Sequence, residues 1–214
     1  MDNNIEQKIS DFFSKYRLIR FKKGEIIYRP GDEFSQVSFV KNGYVRLFTE
    51  SKTGKEITIN LFKPVFYLSL AYSINKKCNR YYFEAVTDVE IWKAPYEDVK
   101  KFLRSTPKIH EWLNSRLLNI IDELISNIGE TISEDSYTKI ARTILSFALK
   151  FSNNSNSSTI EFQTSHRIIA SLVGISRETA SVQIKKMENE GLIKQNNRRI
   201  IIPDIKKLQE ISGL

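Results

Sequence analysis

Ser176-Arg177-Glu178-Thr179 sets a helix-capping hydroxyl, a guanidinium with five donors and an acceptor-only carboxylate in consecutive positions. At the start of a helix these groups suit the reading of base edges. Arginine donates two hydrogen bonds to guanine, and glutamate accepts from cytosine N4. Ser181, Gln183, Lys185 and Lys186 add polar or cationic groups along the same segment. His166, Arg167, Arg198 and Arg199 stand close enough in sequence to reach phosphates.

These side chains need a scaffold, and the surrounding residues spell one out. Thr164 and Ser165 are cap candidates for a first helix with Ile168, Ile169 and Leu172 on its buried face. Val173-Gly174-Ile175-Ser176 supplies a sharp turn, with glycine at the position that favours positive φ. The second helix spans Arg177 to Asn189, buries Ala180, Ile184 and Met187, and ends at Gly191. Leu192-Ile193-Lys194 and Arg199 to Ile202 flank Gln195 to Arg198 as a small hairpin, or wing, before a last helix, Asp204 to Ile211. Thr164 to Glu190 thus reads as a helix-turn-helix for double-stranded DNA.

The charge distribution agrees. The chain of 214 residues carries a net charge of +8. Residues 137–214 hold 12 Lys and Arg against 6 Asp and Glu, so most of the excess lies in the last third, which suits a polyanion partner such as DNA; the alternative on charge alone is a merely soluble basic protein.

Upstream, Ile5 to Tyr16 reads as a helix. From Phe21 to Lys93, short β-branched and aromatic runs alternate with turn signals such as Pro30-Gly31, Asn42-Gly43 and Thr53-Gly54. Asn42-Gly43 is the signature of a two-residue hairpin. The stretch suggests a jelly roll. Tyr96 to Leu103 reads as a short helix. Ile109 to about Ile132 is a long one, with Leu113, Leu117, Ile120, Leu124 and Ile128 at near 3.5-residue spacing and Ile121 and Ile125 widening the stripe. That seam fits a homodimer interface; the alternative is a helix buried within one chain. Tyr137 to Phe151 is a further amphipathic helix.

The same residues exclude other chemistry. One cysteine, Cys78, rules out an intrachain disulfide and a multi-cysteine metal site. Its neighbours Lys77 and Arg80 suit a lowered thiol pKa, against the simpler reading of a surface-loop thiol. His110 and His166 are too few and too far apart for a metal cluster, and haem has no support. No histidine lies between Phe21 and Lys93, so a metal-dependent barrel enzyme is not expected. No apolar run approaches the ~18 residues of a membrane span. The N-terminus lacks signal-peptide character, so a cytoplasmic protein is expected.

Phe21 to Asp32, Val40 to Leu47 and Val173 to Thr179 together resemble the Crp/Fnr family, named for the cyclic-AMP receptor protein and the fumarate–nitrate regulator. The likeness runs over nearly the whole chain. It implies an α+β protein: an N-terminal jelly-roll β-barrel of the cyclic-nucleotide-binding kind (1–106), a long dimerisation helix and hinge (107–136) and a C-terminal winged helix-turn-helix (137–214). It implies a homodimeric transcription regulator, not an enzyme, on a near-palindromic operator with RNA polymerase as a partner. Arg177 and Glu178 match base-reading positions, and Ser181 and Val182 complete that set. Ser176, Thr179 and Lys185 match phosphate-contacting positions, as does His166; Arg167 and Arg198 join them. Val182 departs, since many members have a base-reading arginine there. The sensor departs further. The Gly-Glu and Arg-Ser pairs of cyclic-nucleotide binders are missing from Val65 to Leu70 and from Asn79-Arg80-Tyr81, so cyclic AMP is not expected, nor is an iron–sulfur cluster. Phe66, Tyr67, Tyr72, Arg80, Tyr81 and Tyr82 either line a pocket for another effector or pack the β core. A constitutive regulator with a ligand-free β-roll, and an interaction module silent toward DNA, are the alternatives.

Overall fold

The computed structural model describes residues 2–133, 135–151, 160–196 and 199–212. The chain divides into two compact units, Met1–Thr49 with Ile59–Leu124, and Glu50–Thr58 with Ile125–Leu214. Among the described residues no helix is long and apolar enough to cross a membrane.

The first unit is built on two antiparallel four-stranded sheets. One has the order β1 (Arg17–Phe21), β8 (Val89–Pro95), β3 (Gln36–Asn42), β6 (Phe66–Tyr67). The other has the order β2 (Ile26–Tyr28), β7 (Tyr82–Ala85), β4 (Val45–Glu50), β5 (Glu56–Phe62). Strand alternation divides the apolar side chains of the first sheet between two cores. Val37, Phe39, Trp92 and Ala94 face a helical layer formed by α1 (Asp2–Phe13), α3 (Tyr96–Ser105) and the start of α4 (Pro107–Ser133). Val40, Val89 and Ile91 point the other way, into the interior with Ile27, Val45, Phe83 and Ala85 of the second sheet.

Asn42-Gly43 does not make the hairpin expected of it. β3 pairs with β8 and β6, while β4 pairs with β7 and β5, so the dipeptide carries the chain from one sheet to the other. Glycine is required twice over. Its φ is +84°, and a Cβ would stand 2.2 Å from the Asp88 carbonyl oxygen. Thr53-Gly54 does close a true hairpin between β4 and β5, with Gly54 N–H donating to Ser51 O at 2.9 Å. Strands β1 and β6 and the short helix α2 (Leu70–Asn75) go beyond the elements expected from the sequence.

The second unit holds α5 (Ser136–Phe151), β9 (Ile160–Gln163), α6 (His166–Val173), α7 (Arg177–Asn189), β10 (Lys194–Asn196), β11 (Arg199–Ile202) and α8 (Ile205–Ser212). Ile140, Ile144, Phe147 and Ala148 of α5 are buried, as their helical spacing requires. They share the interior of this unit with Ile168 and Ile169 of α6 and Ala180, Ile184 and Met187 of α7. The wing is three-stranded, in the order β10-β11-β9, where a two-stranded hairpin is expected from sequence.

Candidate nucleic-acid interface

The turn between α6 and α7 forms as its residues dictate. Ser165 caps α6, its hydroxyl accepting from Ile168 N–H. Gly174 ends that helix in the left-handed region at φ +75°. Ser176 caps α7 by accepting from Thr179 N–H at 3.0 Å. The apolar face of α7 is buried, which leaves Arg177, Glu178, Thr179, Val182, Lys185 and Lys186 exposed and Ser181 half-buried. Val182 is 66% exposed, an apolar side chain among the polar and cationic groups of this face. The Glu178 carboxyl is held below the ordinary value by its own backbone N–H, then by the Ser176 hydroxyl and Arg177, so at neutral pH it acts only as an acceptor.

The remaining candidates lie around this face in different states. Arg167 donates to Glu56 at 2.6 Å. Glu56 belongs to Glu50–Thr58, the β4–β5 tip that is part of this unit. From the same tip, Lys55 donates to Gly174 O at 2.6 Å, and the Thr58 and Ser171 hydroxyls meet at 2.6 Å. His166 has both ring nitrogens engaged, Nδ1 with Ser181 Oγ at 2.8 Å and Nε2 with Gln195 Oε1 at 2.6 Å. Arg198 lies outside the described residues. Arg199 pairs with Glu161 of β9 at 2.7 Å.

The long helix turns outward part of the stripe its spacing suggests, without Leu113 and with Leu118 added. Leu113 is buried with Ile109 and Trp112 in the core of the first unit, so it is not available to another chain. Leu117, Leu118, Ile121 and Ile125 are 43%, 65%, 52% and 62% exposed, with Ile120 and Leu124 half-buried beside them. The side chain of Ile128 lies outside the described residues. Leu118 escapes the sequence reading, although 118, 121 and 125 repeat the 3,4 spacing of a heptad seam.

The six candidate effector residues do not meet in one cavity. Phe66 and Tyr72 pack on the sandwich interior, where Phe62 stacks on Phe66 at 4.3 Å and Phe34 lies 5.1 Å from Tyr72. Tyr67 faces the opposite core, against Phe13 and Phe39. Burial there pushes its hydroxyl pKa well up. Tyr82 stacks on Phe48 at 4.9 Å, Tyr81 is half-buried, and Arg80 is exposed. Strand alternation is the reason, since neighbouring aromatics point to opposite faces. Among the described residues no group of three His, Cys, Asp or Glu is placed to hold a metal ion.

A two-sheet β unit joined in one chain to a winged helix-turn-helix with an open, capped second helix is the architecture of a DNA-binding regulator. Comparison with known proteins gives the family. Residues 18–106 match the cyclic nucleotide-binding domain and residues 138–211 match the Crp-like helix-turn-helix domain. The global nitrogen regulator of Nostoc sp. is 25% identical over 189 residues, covering 85% of this chain and 83% of its own. The cAMP-activated global transcriptional regulator CRP of Salmonella typhimurium is 20% identical, with 89% and 91% covered. A solved CRP-family transcriptional regulator from Thermus thermophilus superposes with a TM-score of 0.79 at 23% identity, covering 92% of this chain and 97% of its own. The chain belongs to the Crp/Fnr family and is a DNA-binding transcription regulator of that type.

Proposed function

We propose that the protein acts as a homodimer on a near-palindromic operator, with two α7 helices in successive major grooves about 34 Å apart. The observation that carries this reading is the capped, solvent-facing N-terminal turn of α7, with Arg177 and Glu178 exposed beside Lys185. Arg177, Glu178, Ser181 and Val182 read bases, and Val182 offers a thymine methyl an apolar contact where a polar reader would donate. Ser176, Thr179 and Lys185 face the phosphates, and Arg167 reaches them by exchanging Glu56 for DNA. The exposed stripe on α4 pairs with its copy. The β-roll of 1–106, the dimerisation segment of 107–136 and the DNA-binding part of 137–214 divide the labour, in the cytoplasm and alongside RNA polymerase. The interior aromatics are packed on one another and Arg80 is exposed, which supports a β-roll that does not hold a cyclic nucleotide by its phosphate.

Selection of bound sequences from a random DNA pool tests the reading. Glu178→Ala is expected to lower discrimination at one core base pair by about 1–3 kcal/mol while binding to random DNA persists. Equal loss on selected and random DNA would count against a base-reading Glu178. Lys185→Ala is expected to weaken binding to every sequence and to lower the slope of log affinity against log salt by about 0.9 per half-site. An unchanged slope removes Lys185 from the phosphate contacts.

A further inference from the structure

Four side chains from α6, α7 and β10 form a chain of hydrogen bonds whose direction can be worked out from one end. Glu188, two turns beyond Ser181 on α7, receives the Gln195 backbone N–H at 2.9 Å on one carboxylate oxygen and the Gln195 side-chain Nε2 at 3.2 Å on the other. A carboxylate only accepts, so the amide of Gln195 is fixed with its nitrogen toward Glu188 and its oxygen toward His166. That oxygen also only accepts. The 2.6 Å contact to His166 Nε2 therefore requires the ring proton on Nε2. With that single proton on the ring, Nδ1 is bare and accepts from the Ser181 hydroxyl at 2.8 Å. Ser181 has spent its only proton inward.

From this we infer that Glu188, Gln195 and His166 are positioning residues that make Ser181 a one-way reader, accepting a hydrogen bond from an exocyclic amino group of adenine or cytosine in the major groove. The inference rests on the reading of α7 as the base-contacting helix. A free serine hydroxyl rotates and satisfies donors and acceptors alike, so it discriminates poorly. With its proton committed to His166, the oxygen presents lone pairs alone. The only major-groove donors are adenine N6 and cytosine N4; the guanine and thymine edges offer acceptors at that depth. Ser181 lies three residues from Glu178, on the same side of the helix, so two acceptor-only groups stand side by side. The relay also gives His166 an inward role. With both nitrogens occupied it has no N–H directed at a phosphate, which replaces the backbone contact expected from sequence.

The test measures affinity of the full-length protein for a panel of operators carrying each of the four base pairs at each half-site position, over a series of salt concentrations. For the unmodified chain, one position should prefer adenine or cytosine on the strand facing Ser181 by about tenfold. Ser181→Ala should flatten that position alone. Gln195→Leu frees the ring to move its proton to Nδ1, so the preference should fall below about threefold while the salt slope stays the same. Glu188→Gln, which is isosteric, lets the Gln195 amide turn over and should give the same loss without removing a side chain, which guards against a folding defect in Gln195→Leu. If Ser181→Ala flattens a position but both relay variants leave it unchanged, the relay is wrong. If His166→Leu weakens every sequence equally and lowers the salt slope, histidine is a phosphate contact and the inference fails. Failure of the underlying reading looks different: Arg177→Ala and Glu178→Ala would then leave the selected sequence unaltered.

Discussion

Ile121→Asp is expected to give a folded monomer that has lost its operator. Ile121 is 52% exposed, and Leu117, Leu118 and Ile125 lie within a turn of it, so the substitution removes little packing within the chain. Stability measured by urea unfolding should change by less than about 0.5 kcal/mol. In the proposed dimer the same position would meet the facing helix. Two carboxylates brought together there lose water without gaining partners, and each costs several kcal/mol. The operator then loses the linkage that makes the second half-site contact intramolecular, and affinity should drop at least about a hundredfold. Light scattering reads the mass, and fluorescence anisotropy on a labelled operator reads the affinity. A variant that stays dimeric and binds DNA normally would show that the stripe is not the subunit contact. Leu113→Ala sets the contrast. Leu113 is buried against the first unit, so its truncation should cost about 2–5 kcal/mol of folding stability.

This stripe shows where the sequence stops being sufficient. Apolar residues at 113, 117, 120 and 124 and at 118, 121 and 125 make two overlapping seams. Helical periodicity alone admits both. The choice is made by tertiary packing, which draws Ile109, Trp112 and Leu113 into the β unit and rotates the second seam outward. The helix-turn-helix was legible because its signals are local: Gly174 at positive φ, Ser165 and Ser176 as caps, and one buried face per helix. Asn42-Gly43 was misleading for the same reason. Turn chemistry reports a φ value, but which strand pairs with β3 is decided by non-local hydrogen bonds. The aromatics left two readings open for a similar reason, because Phe66 and Tyr67 are neighbours in sequence and face different cores. The Glu188–Gln195–His166–Ser181 chain joins α6, α7 and β10 across two turns, and no spacing rule brings those residues together.

Arg46 and Glu84 carry the other large expected effect. They stand opposite each other in the β4–β7 register and form an ion pair with Arg46 fully buried and Glu84 at 5% exposure. The Arg46 guanidinium also lies 4.1 Å from the Phe48 ring centroid, and both charged groups make further contacts. Removing one member leaves a charge in a dry site. Arg46→Met and Glu84→Leu should each destabilise the first unit by about 3–5 kcal/mol. The double variant removes both charges and should cost far less than the two losses combined, so the cycle should return a coupling of about 3 kcal/mol or more. The chain's two tryptophans, Trp92 and Trp112, both lie in the core of this unit, so fluorescence-monitored urea unfolding reports on it. Additive losses would mean that the two groups are satisfied independently. The pair stabilises chiefly through what it excludes. Val45, Leu47, Phe83 and Ala85 alternate with Arg46, Phe48, Tyr82 and Glu84 on the two faces of β4 and β7. A slip of one residue would swing the guanidinium into the apolar interior beside Phe83, where an unpaired charge is prohibitive. On this argument the ion pair disfavours a slipped register between β4 and β7.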